Sequence, residues 1–283
     1  MKKTGFLFVL AALAIALAVP CASAQYSADK PLGASAQNAP AYLKNAGISQ
    51  ELNHPLPLAD EFTDATGQKT PLGTYFGRRP VMLALVYYNC GMLCPQVLHG
   101  MASALSQTGF HAGKEYDVVV ASINPDDKTS DAAEAKQQFL KTLGQPDAGK
   151  YVHFLIGPQK SINDLSAATG FHYVRVPGPD GKMDQFAHSS VIMIATPDGR
   201  MSKYLSGIDY QSRDVRLALI QASNHKIGSF SDMVLLYCCN YTPSQGRYTV
   251  AVLRILSIAA MASLLALGGI FYLLSRKPKT RAS

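Results

Sequence analysis

The sequence predicts an α/β sandwich with an N-terminal hairpin, followed by a C-terminal transmembrane helix. The run Val81 to Tyr87 is apolar without alternation, which is typical of a strand buried on both faces. Strand-like and helix-like segments then alternate as far as Asn224, which favours consecutive βα units. Near the end of the chain, Ile255 to Leu274 is a run of twenty uncharged residues. Such a run is long enough to cross a bilayer core of roughly 30 Å.

The individual elements follow from the spacing of apolar and turn-forming residues. A short hairpin is expected around the turn at Gly67, ahead of the first buried strand. Helical spacing follows that strand at Val97, Leu98, Met101, Ala104 and Leu105. Further strands are predicted at 116–123, 153–156, 171–176, 191–195 and 201–205, and further helices at 130–143, 161–169 and 210–224. This order is that of a thioredoxin-like sandwich.

Both ends of the chain carry signals for export and anchoring. Two lysines, an apolar stretch from Phe6 to Val19 and the small residues Ala22-Ser23-Ala24 form the pattern of a secretory signal peptide. Acylation at Cys21 is a weaker alternative, because Pro20 stands where a small residue is expected. The basic tail after Leu274 predicts a cytoplasmic C-terminus. We therefore expect a bacterial cytoplasmic membrane protein whose main domain lies on the periplasmic side.

These signals divide the chain into six parts. They are a signal peptide (1–24), an irregular extension (25–55), a thioredoxin-like domain (56–228), a juxtamembrane segment (229–249), a transmembrane helix (250–274) and a basic cytoplasmic tail (275–283).

The formal charge of +7 reflects membrane topology. Six of the 26 Lys and Arg residues stand in the two end segments, which leaves 20 against 19 Asp and Glu. Those six are Lys2, Lys3, Arg276, Lys277, Lys279 and Arg281. The remainder of the chain is close to neutral, and we therefore exclude nucleic acid as a partner.

Two cysteines follow the first buried strand with three residues between them. Cys90 and Cys94 stand where the strand gives way to a helix, and Pro95 suits the first helical position. Cys94 is therefore expected at the N-cap, where unpaired N–H groups and the helix dipole favour thiolate over thiol. Soft thiolates select Cu(I), with zinc as the main competitor. Two sulfurs give low coordination, so a third ligand is expected from elsewhere, with histidine the natural candidate.

The chain resembles the Sco/SenC family of copper-binding, thioredoxin-like proteins from about Leu58 to Asn224. Three motifs carry the resemblance: Cys90-Gly-Met-Leu-Cys94-Pro95, then Ser122-Ile-Asn-Pro-Asp-Asp127, and finally His188-Ser189 ahead of Pro197-Asp-Gly-Arg200. The resemblance implies that Cys90, Cys94 and His188 bind copper, as Cu(I), Cu(II) or both. It also implies delivery to the Cu(A) site of cytochrome c oxidase, with subunit II or a similar exported copper protein as partner.

The chain departs from the family pattern at three points. Asn124 stands where members usually carry Asp, and Ala187 stands where an Asp commonly precedes the histidine. Both changes remove a negative charge that is expected near the site. Members also usually anchor through an N-terminal span, whereas the clear span of this chain is C-terminal.

Two functions are compatible with the sequence. The first is a membrane-anchored, extracytoplasmic copper chaperone for Cu(A) assembly, which needs no organic substrate. The alternative is an enzyme, a thiol-disulfide oxidoreductase in which Cys90 and Cys94 are catalytic and His188 is dispensable. Peroxide reduction is disfavoured, because the Pro-x-x-x-Thr-x-x-Cys pattern is absent around Cys90.

The other potential ligands are expected to have structural roles. His99 lies five residues beyond Cys94, too far along the helix to reach the loop, and is expected to pack or face solvent. Met92 is expected to give apolar cover to the site. Cys238 and Cys239 are expected to pack near the membrane, although a second metal or redox site stays open.

Overall fold

The structure is a computed structural model that describes residues 45–91, 93–178, 180–224, 239–242, 247–250 and 260–270. The strands are β1 (Gly47–Ile48), β2 (Glu61–Asp64), β3 (Lys69–Pro71), β4 (Val81–Val86), β5 (Asp117–Ser122), β6 (Val152–Ile156), β7 (Phe171–Val176), β8 (Gln185–His188), β9 (Val191–Ala195), β10 (Met201–Ser206), β11 (Cys239–Thr242) and β12 (Arg247–Val250). The helices are α1 (Cys94–Ser106), α2 (Thr129–Leu143), α3 (Gln159–Ala168), α4 (Ser212–Ala222) and α5 (260–270).

A seven-stranded sheet forms the centre of the fold, in the order β10-β9-β4-β5-β6-β2-β3. Strands β4, β5 and β6 are parallel to one another, and the flanking pairs are antiparallel. Every residue of β4, β5 and β9 is buried. The absence of alternation in the run from Val81 therefore predicted its position correctly, because helices and loops cover both faces of the sheet at its parallel centre. The thioredoxin-like α/β fold is confirmed.

The strands predicted for the central sheet and the helices predicted between them all occur, with shifts of one or two residues at their ends. The predicted hairpin is β2 and β3, joined by a turn in which Gly67 has a φ of 89°. This left-handed conformation is one that glycine adopts without steric cost. A further glycine sets the position of α1. A Cβ atom on Gly100 would lie 2.0 Å from the Ile208 carbonyl oxygen, so α1 approaches the β10–α4 connection at a glycine.

A second, three-stranded sheet has the order β1-β7-β8 and contains two strands that the sequence pattern did not reveal. Strand β8 ends at His188, and pairs with β7 so that His188 stands opposite Tyr173. The extension (25–55) was expected to be irregular, but strand β1 lies in the part of it that the structure describes. It pairs with β7, and the nearby Asn53 N–H donates to the Met201 carbonyl at 2.7 Å. These contacts join residues from Gly47 onward to the domain.

In the part of the chain that the structure describes, no helix has the length and apolar character needed to span a membrane. Helix α5 falls inside the predicted span, and most of the remaining span lies outside the described residues. Val250, the first residue assigned to the predicted transmembrane helix, belongs to strand β12. Strands β11 and β12 form an antiparallel pair in the segment that was predicted to precede the membrane. The predicted signal peptide also lies outside the described residues.

His153 in β6 gives the fold a predicted pH dependence. Its ring lies 4.2 Å from the Tyr75 ring, centroid to centroid. Burial, and secondarily the charge of Lys136, lowers the pKa of His153 to about 4. The unfolded chain therefore binds the proton more readily between about pH 6.5 and 4.

We expect the free energy of unfolding to be constant above about pH 6.5 with respect to this group, and to fall by about 1–3 kcal/mol as the pH drops to about 4. Chemical denaturation followed by circular dichroism measures this, and His153→Gln is the control that removes the titrating ring. An equally steep loss in the His153→Gln variant over this range would contradict the assignment.

Candidate metal centre

The cysteine loop leaves the C-terminal end of β4, at the centre of the main sheet, and ends where α1 begins. The Val97 N–H donates to the Leu93 carbonyl at 3.0 Å, which makes Leu93 the N-cap and Cys94 the first helical residue. The expectation that Cys94 is the N-cap is therefore wrong by one residue, because the carbonyl of the preceding residue accepts the first helical hydrogen bond. Pro95 remains within the first turn, where its missing N–H leaves no helical bond unmade.

Both thiols are reduced and buried, with exposed fractions of 8% for Cys90 and 2% for Cys94. A hydrogen bond with Cys90 raises the pKa of the Cys94 thiol, and burial raises it further. A hydrogen bond from the Tyr87 backbone acts in the opposite direction without reversing the shift. The expectation of a stabilised thiolate at Cys94 is therefore wrong for the metal-free pair. Two adjacent buried sulfurs cannot readily both be charged. This effect on the pKa of Cys94 outweighs the stabilisation of a thiolate by the start of helix α1.

His188 reaches the cysteine pair from the second sheet. Its Nε2 atom lies 3.3 Å from Cys94 Sγ, and its Nδ1 atom lies 2.9 Å from the Ser189 carbonyl oxygen. A carbonyl oxygen can only accept, so Nδ1 carries the proton and donates it. In the neutral ring this leaves the Nε2 lone pair facing the sulfur. A backbone carbonyl that fixes the tautomer in this way is the usual support of a metal-binding histidine.

Aromatic rings enclose the His188 imidazole. The ring of Phe171 lies 5.4 Å from it and that of Tyr87 lies 6.3 Å away in an edge-on arrangement. Tyr87 is itself held, because its hydroxyl donates to Gln185 Oε1 at 2.9 Å. Burial, followed by a hydrogen bond with Cys90, raises the pKa of Tyr87, so its hydroxyl stays protonated at neutral pH. The imidazole therefore has a fixed orientation in a largely apolar surrounding.

A buried carboxylate, Asp127, holds the other side of the cysteine loop. It accepts hydrogen bonds from the Tyr88 backbone N–H at 2.8 Å and from Asn89 Nδ2 at 3.2 Å. It also accepts from Ser122 Oγ at 2.6 Å and from Asn124 Nδ2 at 2.9 Å. Only 4% of Asp127 is exposed. The loop that carries the cysteines is thus tied to the β5–α2 connection through one side chain.

Two of the three departures from the family pattern have structural explanations. Asn124 supplies an amide donor to Asp127, which an Asp at this position could not do while ionised. Ala187 precedes His188 in β8, and successive side chains of a strand point to opposite faces. A carboxylate at position 187 would therefore point away from the face that His188 presents to Cys94. Asp127 belongs to the second of the three family motifs, but its part in holding the cysteine loop could not be predicted. Asp126 and Asp127 are adjacent acidic residues that the sequence pattern does not distinguish.

The remaining candidates are separate from this cluster. His99 is exposed on α1, and its Nδ1 lies 3.4 Å from Thr142 Oγ1 on α2, as expected for a residue outside the site. Met92 and Cys238 lie outside the described residues, and Cys239 belongs to β11. Within the described residues, no group of three or more His, Cys, Asp and Glu side chains is already arranged to hold a metal ion.

The fold and the cluster define a class: a thioredoxin-like domain with a buried pair of cysteines and a histidine against one of them. A model of the SCO1/SenC family matches residues 55–221, which is more than half of the chain. The protein belongs to the SCO1/SenC family.

Several solved structures resemble this chain at low sequence identity. A candidate electron transfer protein from Aquifex aeolicus VF5 has 21% identity and a TM-score of 0.53, covering 62% of this chain and 96% of that one. A SCO1/SenC family lipoprotein from Bacillus anthracis str. Ames has 20% identity and a TM-score of 0.50, covering 61% and 96%. Copper-bound ScoI from Arabidopsis thaliana has 16% identity and a TM-score of 0.49, covering 61% and 98%. The comparison with curated proteins found no match.

Removal of the Asp127 carboxylate should destabilise the domain. We expect Asp127→Ala to lower the free energy of unfolding by about 2–4 kcal/mol, because it leaves several buried donors without an acceptor. The matched control is Asp126→Ala, whose side chain is 77% exposed and forms a 3.6 Å ion pair with Arg175. That change should cost less than about 1 kcal/mol. Denaturation followed by circular dichroism suits a chain without tryptophan, and equal losses in the two variants would refute the role of Asp127.

Proposed function

We propose that the protein is a membrane-anchored, extracytoplasmic copper chaperone that assists assembly of the Cu(A) site of cytochrome c oxidase. The observation that carries this proposal is the 3.3 Å contact between Cys94 Sγ and His188 Nε2, with the imidazole tautomer set by the Ser189 carbonyl. Cys90 hydrogen-bonds to the same sulfur and supplies the third donor. Membership of the SCO1/SenC family supports the same function.

The donor set suits copper. Two thiolates and a neutral imidazole nitrogen form a soft, low-coordinate site that favours Cu(I), while the imidazole also tolerates Cu(II). Zinc is the main competitor for the same donors. Binding requires both thiols to lose their protons, so uptake of the ion releases protons. Because both sulfurs are buried, the protein shields the ion from water and from adventitious ligands.

Delivery is an exchange of ligands. The acceptor is an exported copper protein, and subunit II of cytochrome c oxidase is the partner that we propose. The signal-peptide pattern and the apolar run from Ile255 to Leu274 support a position on the periplasmic face of the cytoplasmic membrane. A tether of this kind keeps the site close to its membrane-bound acceptor.

A second function, thiol-disulfide exchange on exported proteins, is favoured by one observation. Cys90 and Cys94 are reduced and hydrogen-bonded to each other, an arrangement from which one thiol attacks a disulfide and the other resolves the mixed disulfide. His188 has no obligatory part in that reaction. Its replacement therefore separates the two functions.

Copper titration of the full-length protein against a competing Cu(I) chelator tests the proposal. The parent should bind one Cu(I), and the double variant Cys90→Ser, Cys94→Ser should lose that binding, because soft ligands are replaced by hard hydroxyls. His188→Ala should weaken binding at least about tenfold, while the control His99→Ala leaves it unchanged.

The same variants are assayed for disulfide reduction. Parent-like Cu(I) affinity in the double cysteine variant would refute copper binding at this site. If His188→Ala loses copper but still supports oxidase assembly in cells, thiol-disulfide exchange is the function.

A further inference from the structure

A groove lies beside the cysteine loop, between α1 and α2. Its volume is about 700 Å³, which is within the range of ligand-binding clefts. Cys90 and Cys94 are among its lining residues, and most of the others belong to α1 and α2. His188 is not among the described residues that line it. Cys94 therefore contacts His188 and, together with Cys90, also belongs to the lining of this groove.

The groove is lined by two carboxylates, and by His99 on α1. Asp131 and Glu134 on α2 line it, and none of its described lining residues is Lys or Arg. Glu134 is exposed, and its carboxylate accepts a hydrogen bond from Gln138 Nε2 at 3.3 Å. A hydrogen bond from the Lys128 backbone N–H lowers the pKa of Asp131, which keeps this carboxylate ionised.

Asp131, one of the two acidic residues that line the groove, is connected directly to the cysteine loop. Asn89, the residue before Cys90, donates from its side-chain amide to Asp131 at 3.0 Å and to Asp127 at 3.2 Å. The position of the loop is thereby fixed relative to the first turn of α2. A ligand held by the groove would consequently lie at a defined position with respect to the cysteine sulfurs.

We propose that the α1–α2 groove binds a lysine- or arginine-rich segment of the acceptor protein, and that this segment carries the cysteine that receives copper. The inference rests on the proposed copper-chaperone function. Charge complementarity identifies the occupant, because the described lining of the groove contains two carboxylates and neither Lys nor Arg, which favours a basic segment over an acidic one. The groove approaches the sulfurs from a side that His188 does not line, so His188 can retain the ion while an incoming sulfur displaces a protein thiolate.

The exchange is balanced without an added oxidant or reductant. A bond forms between Cu(I) and the sulfur of the acceptor cysteine, and the bond between Cu(I) and Cys90 breaks. The proton that leaves the acceptor thiol is taken up by Cys90. Copper remains Cu(I) throughout, and neither partner is oxidised.

Two synthetic peptides test the groove with the full-length protein loaded with Cu(I). One carries a cysteine flanked by lysines and the other a cysteine flanked by glutamates. At low salt the parent should transfer copper to the lysine peptide at least about tenfold faster, and the difference should shrink as salt is added. Equal rates for the two peptides would overturn the proposal.

Glu134→Lys and Glu134→Gln test the groove wall. Both residues are good helix formers at an exposed position, so the fold should be retained. We expect the charge reversal to reduce the preference for the lysine peptide several-fold, with the neutral variant intermediate. The matched control is Glu61→Lys, an exposed charge reversal on β2 that lies outside the groove lining and should leave the preference unchanged. If Glu134→Lys behaves like Glu61→Lys, the groove does not bind the segment.

A second readout separates failure of the groove from failure of the proposed function. The lysine peptide with serine in place of cysteine is labelled, and its binding is measured by fluorescence anisotropy without copper. Binding that is weakened by Glu134→Lys but unaffected by Glu61→Lys supports the groove even if the parent takes up no Cu(I), in which case copper delivery alone fails. If the protein binds Cu(I) tightly but Glu134→Lys does not change peptide binding, the groove proposal fails and the copper-chaperone proposal stands.

Discussion

One buried carboxylate, Asp127, fixes the part of the structure on which the site depends. The loop after β4 contains no regular hydrogen-bonding pattern of its own, so its backbone must find partners elsewhere. Asp127 provides them from the β5–α2 connection, and Asn124 completes its set of donors. The same contacts orient Asn89, which reaches Asp131 on α2. Asp127 therefore supports the position of both the cysteine loop and the groove beside it.

The chemistry of the site comes from bringing together two sheets. Cys94 begins the helix that follows the central strand β4, and His188 ends a strand of the smaller sheet, 94 residues away. Without a metal, burial and the neighbouring Cys90 keep the Cys94 proton in place, since they raise the pKa of its thiol. A soft cation replaces that proton, and the imidazole already presents its lone pair. Under the proposed function, Cys94 therefore gives up its proton only when a metal ion takes its place.

The sequence was sufficient for the central sheet and its helices, and insufficient for the two short strands β1 and β8 of the smaller sheet. The fully apolar run from Val81 and the helical spacing around Met101 identified β4 and α1, because burial alone determines both patterns. Strand β8 was missed because it has only four residues of mixed burial, so neither periodicity nor length marks it. Cys90 and Cys94 were identified by their spacing at the strand–helix junction, whereas His188 was identified only through the family resemblance, since a strand-end histidine has no signature of its own. The protonation state of the thiols could not be predicted, because it depends on how close the two sulfurs lie to each other in the folded protein.

The central claim is that both cysteines and the histidine bind the same copper ion. X-ray absorption spectroscopy of the full-length protein loaded with one Cu(I) tests it most directly, because the method reports the number and type of atoms around the metal. The account predicts two sulfurs and one imidazole nitrogen, and the loss of the nitrogen in His188→Ala. A parent spectrum with sulfur ligands only, or one that is unchanged by His188→Ala, would contradict it.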